Sequence, residues 1–151
     1  MKKIVLAFVL LAFAVLLFMI FRGRKAEPAA AALESQFEQM MNGAVMVGHS
    51  TLDGKDGLSG EERYSIDHVS RLGGDVWMFQ ARMKLEGHEI PVPIPVTIKW
   101  AGDTPVIEVT DLGIPGMGSY TARVVLYRDH YAGTWSGKDH GGQLFGGIVH
   151  Q

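Results

Sequence analysis

Six histidines, His49, His68, His88, His130, His140 and His150, are the side chains of this sequence best suited to hold a metal or move a proton. None has the i, i+4 spacing that puts two ligands on one helix face. Asp129-His130 and Asp139-His140 repeat a pair. At ~3.3 Å per strand residue, however, the register derived below sets those two imidazoles roughly 16 Å apart, too far to share an ion. No metal and no cofactor is expected. His68 is the stronger candidate, because alternation puts it on the apolar face beside Trp77. A hydrogen-bonded core imidazole is the plain reading of that position, and a hydrolase or isomerase working around His68 is the catalytic one. Ser59, Ser65 and Ser119 have no evident base, and the neighbours Glu61 and Glu62 read as solvated acids. No nucleophile elbow, phosphate loop or HExxH occurs. Gly141-Gly142 and Gly146-Gly147 lie in a strand pattern, so they suggest bulges or close strand contact. The chain has no cysteine, which removes disulfides and thiolate chemistry. Catalytic residues: none; the pattern favours binding over catalysis.

The residues that could line a binding site are mainly apolar: Trp77, Phe79, Ile98, Val124, Trp135 and Leu144, with Val96 among them. Tyr64, His68, Tyr131 and His140 are polar groups able to orient a head group. What must position them is a sheet. From residue 44 the hydropathy period is two, with turn signals at close spacing. Strands are expected over 44–51, 61–69, 75–85, 90–100, 105–112, 119–128, 131–137 and 140–149. Directly opposed residues share a face. Five of the hairpins then pair His68 with Trp77, Trp77 with Ile98, Ile98 with Ile107, Ile107 with Val124, and Val124 with Trp135; the last pairs Tyr131 with Leu144. One face is apolar throughout, and the other carries Arg63, Ser65, Asp67, Gln80, Arg82, Lys99, Glu108 and Arg123. An eight-stranded antiparallel meander with one wet apolar face is unstable as a flat sheet. Curling into a barrel buries that face and removes the edges. A two-sheet sandwich is the alternative. Pro91, Pro93 and Pro95 erase three consecutive donors on one lateral side of their strand. They mark either a seam that blocks aggregation or a portal for a ligand.

Residues 4–21 are eighteen apolar side chains in succession. As a helix they would be about 27 Å long, close to the hydrocarbon thickness of a bilayer. Lys2 and Lys3 precede the run; Arg22, Arg24 and Lys25 follow it. The expected organisation is a membrane anchor over 1–25, a linker and short helix over 26–43, and a barrel domain over 44–151. A cleaved signal peptide competes with the anchor, but its apolar core is usually shorter and ends at small residues. Lys2, Lys3 and the α-amino group nearly balance Arg22, Arg24 and Lys25, so the shortness of the tail, which stays in the cytoplasm, is what favours an inner-membrane anchor with the domain in the periplasm; a cytoplasmic-facing domain is the runner-up. Leu33, Phe37, Met40 and Met41 share one face of the short helix, and Gly43 is its stop. Five of the fourteen Lys/Arg residues flank the apolar run, whereas all sixteen Asp/Glu residues follow it. An acidic domain without a basic stripe argues against nucleic acid as a partner.

A short helix followed by eight meander strands resembles the lipocalin and fatty-acid-binding superfamily. Gly133-Thr-Trp135 is similar to the G-x-W motif of those barrels, although that motif normally sits on the first strand and here lies on the seventh. Residues 100–107 and 131–135 also resemble uncharacterised bacterial membrane-anchored domains. The resemblance implies a barrel that holds a small apolar molecule, and it implies no catalytic residue. The expected function is a membrane-tethered binding module for a hydrophobic or lipid-like ligand. The alternative is a non-catalytic accessory subunit with a self-filled core that docks a larger membrane assembly.

Overall fold

The computed structural model describes residues 29–85, 88–114 and 118–150. The expected anchor over 1–25, with its apolar run 4–21, lies outside the described residues. Among those described, no helix is long and apolar enough to cross a membrane. The chain divides into two compact units at Gln36. Of the first, residues 29–36 are described, and they are helical. The second begins with the last turn of that helix, α1 (29–41), and contains the whole sheet.

Eight strands follow in order: β1 (Ala44–Ser50), β2 (Glu62–Gly73), β3 (Val76–Leu85), β4 (His88–Ala101), β5 (Thr104–Ile114), β6 (Gly118–Tyr127), β7 (His130–Ser136) and β8 (Gly141–His150). Each pairs antiparallel with its neighbours in sequence, and β8 returns to β1 to close the barrel. The fold is therefore all-β, a closed eight-stranded antiparallel barrel preceded by one short helix. Closure leaves the apolar face inside and gives every strand two partners.

Ile98 opposes Ile107, Ile107 opposes Val124, and Val109 opposes Ala122, as alternation predicts. Three other hairpins sit two residues from the expected register, with Trp77 opposite Val96, Ala122 opposite Trp135 and Tyr131 opposite Gly146. A shift of two exchanges no faces. The β2–β3 hairpin differs in kind. A bulge between Ile66 and His68 inserts one residue, so Ile66 and Val69 both point inward. His68, expected inside, is turned to the exposed outer face opposite Gln80.

The end of α1 accounts for the bulge. The Gly43 amide donates to the Asp67 carbonyl (3.3 Å), and the Val69 amide donates to Asn42 Oδ1 (2.8 Å). Pairing between β1 and β2 runs only from Gly48↔Glu62 to Val45↔Ser65, so beyond Ser65 the helix end takes over as partner for β2. Gly43 has φ +70°, which suits glycine just past a helix C-terminus.

Candidate functional site

The two ends of the barrel are filled differently. At the end near α1, Phe37 and Met41 are buried with Val69, Trp77, Ile98 and Leu126. The Phe37 ring meets Trp77 edge-on at 5.0 Å between centroids and Trp100 at 6.1 Å. Ala44, Ile107, Tyr131 and Ile148 complete this solid half. Trp77, Phe79 and Ile98, expected to line a site, are therefore core residues here.

At the opposite end a cavity of about 490 Å³ opens. That falls within the usual range for small-molecule pockets. Ala122 and Val124 of β6, Trp135 of β7, Leu144 of β8 and Ile114 of β5 give it an apolar wall. Tyr64 and Glu62 of β2, Ser50 of β1, Tyr120 of β6 and His140 supply its polar atoms. Of the residues singled out in the sequence, the fold brings Tyr64, Val124, Trp135, Leu144 and His140 to this cavity.

The polar atoms form a connected set. Gly48 pairs with Glu62, which brings the end of β1 against the start of β2. Ser50 Oγ donates to Glu62 Oε1 (2.6 Å), and the Tyr64 hydroxyl donates to Glu62 Oε2. Burial alone would raise the Glu62 carboxyl. Hydrogen bonds from Ser50, Tyr64 and Ser59, with His49 nearby, outweigh it and hold the group below the usual carboxylate range. Burial, then the hydrogen bond to Glu62 and its charge, push the Tyr64 hydroxyl well above the usual phenol range. Glu62 is thus ionised and Tyr64 neutral at pH 7. Sequence reasoning took Glu62 for a solvated acid. The signal it overlooked was the i, i+2 spacing of Glu62, Tyr64 and Ile66, which puts all three on one strand face.

An aromatic group borders the polar set. His140 meets Trp135 edge-on at 5.3 Å and Tyr120 at 6.1 Å. Trp135 Nε1 is sealed from solvent with no hydrogen-bond partner. Tyr131 lies deeper, 3% exposed, against the paired glycines of β1 and β8. A Cβ on Gly48 would stand 2.0 Å from the Phe145 carbonyl and 2.6 Å from the Tyr131 hydroxyl. A Cβ on Gly146 would meet the same ring at 2.8 Å. Glycine is what lets the Tyr131 ring lie along the wall.

The three prolines lie on β4 at the hollow end. The Ile98 amide donates toward β3, to the Asp75 carbonyl (2.8 Å), so even-numbered amides of β4 face β3 and odd positions face β5. Pro91, Pro93 and Pro95 therefore remove donors from the β5 side. Pairing of β4 with β5 runs only from Ala101↔Thr104 to Thr97↔Glu108. Beyond that point a bulge in β5 shifts its register against β6 between Val109 and Leu112, where Asp111 has φ +51° and its amide donates to Thr121 Oγ1 (3.0 Å). A cleft of about 470 Å³ lies where the strands part, bordered by Pro95, Val96, Val109 and Leu112.

Compared with known proteins, the chain matches no protein-family model, no curated protein and no solved structure. Its geometry defines a class by itself: a closed eight-stranded antiparallel barrel, solid at one end and hollow at the other.

Proposed function

We propose that this chain is a membrane-tethered, lipocalin-like binding module for a small hydrophobic or lipid-like ligand. The observation that carries the reading is the apolar cavity of about 490 Å³ with its few convergent polar groups. Residues 4–21 are the tether. The two-lysine tail stays on the cytoplasmic side of an inner membrane, and the domain faces the periplasm; the opposite orientation is the alternative. The seam beside Pro91, Pro93 and Pro95 opens at the hollow end and serves as the portal. The acidic character of everything after residue 25 speaks against nucleic acid.

The test is native mass spectrometry of the full chain released from detergent, with solvent extraction and identification of what co-purifies. Displacement of a neutral fluorescent apolar probe is the second arm. A bound apolar species, or saturable probe binding lost on filling the cavity, supports the reading. Repeated absence of both overturns it. The solid half of the barrel favours a second reading, that of an accessory subunit docking a membrane assembly with its core filled by Phe37, Trp77 and Ile98. In that case filling the cavity leaves the protein's role intact.

A further inference from the structure

We propose that the ligand of this cavity is a cationic amphiphile, an apolar chain ending in a protonated amine, and not a fatty acid. The inference rests on the binding reading above and narrows it.

Ser50 has one O–H, and it is given to Glu62 Oε1. Tyr64 has one O–H, and it is given to Glu62 Oε2. Both hydroxyls therefore present only lone pairs to the cavity, and the Glu62 carboxylate, with about four lone-pair sites against hydrogen bonds from Ser50, Tyr64 and Ser59, keeps acceptor capacity. No Lys or Arg lines the cavity among the described residues. Tyr120 and His140 can donate or accept. Trp135 Nε1 carries a free donor, but that atom is closed to solvent, so an occupant of the cavity cannot reach it. The polar end of the cavity is thus rich in acceptors and bears one negative charge. An incoming carboxylate would meet that charge beside an apolar wall, with the imidazoles of His49 and His140 as the basic groups nearby and no Lys or Arg in the lining, whereas an ammonium brings three donors to it. The remaining wall, from Ile114, Ala122, Val124 and Leu144, suits an alkyl chain.

The experiment compares octylamine, octanol and octanoate as ligands for the full chain in lipid nanodiscs, by calorimetry against empty discs at pH 7. The expected order is amine, then alcohol, then acid. The amine should bind at least about tenfold more tightly than the acid, the scale of a charge-assisted hydrogen bond. In Glu62→Gln the amine should lose its advantage over octanol. Octanoate binding as well as octylamine, or an amine preference that survives Glu62→Gln, overturns the inference and leaves the apolar-cavity reading standing. Failure of all three to bind removes both. The comparison within the wild-type chain decides the matter even if the variant does not fold.

Discussion

At the scale of single residues, Glu62 ties the chemistry of the cavity to the stability of the barrel. Its folded-state pKa is depressed, so its stabilisation is complete above the unfolded value of ~4.3 and is lost as pH falls through the lower folded value. The Tyr64 hydroxyl is shifted the other way. Its contribution is complete below ~10 and is lost as pH rises beyond that. Thermal melts from pH 7 to pH 3 should show an acid limb that flattens in Glu62→Gln. Identical acid limbs in the two proteins would remove Glu62 from this account. Gly48 makes a separate prediction. Its Cβ would stand 2.0 Å from a backbone carbonyl of β8, so the strands must separate to admit it. Gly48→Ala should cost about 3 kcal/mol or more in a denaturant titration, a large value for a single methyl group.

At the scale of elements, the last turn of α1 acts as the stopper of the barrel. Phe37 is 2% exposed and sits among Trp77, Phe79 and Trp100. Phe37→Ala should lower stability by roughly 3–5 kcal/mol, as for other buried aromatic truncations. Asn42 holds the β2 bulge through Val69, so Asn42→Ala should expose the Val69 amide to faster hydrogen exchange. The proline segment of β4 makes the complementary prediction. Replacing Pro91, Pro93 and Pro95 together by valine restores three donors on the β5 side. If the missing donors keep the seam open, amides 91, 93 and 95 become protected and stability rises by about 0.5–1.5 kcal/mol for each bond formed. Fast exchange at all three would show that the β5 bulge alone holds the strands apart.

At the scale of the whole molecule, the division into a solid and a hollow half matters most. The solid half carries the burial that stabilises the barrel, and the hollow half is free to be occupied. A large side chain placed in the hollow should therefore block ligand without unfolding the protein. Ala122→Phe is the direct version, because Ala122 lines the cavity beside Trp135. The expected result is loss of saturable probe binding with the melting temperature within a few degrees of wild type. Loss of folding together with binding would show that the cavity has no spare room.

The sequence by itself determined the strand count, the meander order and the apolar face, because a period of two repeated between turn signals carries that information locally. A two-residue error in a hairpin leaves the faces unchanged, so Trp77, Val124 and Trp135 were legible as inward even where their partners differ. What only the tertiary structure decided lies at the bulges and along the barrel axis. His68 points outward because Asn42 and Gly43, on a different element, hold an extra residue in β2. Nothing within residues 62–73 announces that contact. Alternation also says inward or outward but not how far along the axis a side chain lies. It grouped Trp77, Phe79 and Ile98 with Tyr64, Trp135 and Leu144, although the fold sends the first three to the solid end and the others to the cavity. Glu62 became a site residue through pairing of β1 with β2, which brought Ser50 Oγ within 2.6 Å of its carboxylate and set a charged strand end at the edge of an apolar hollow.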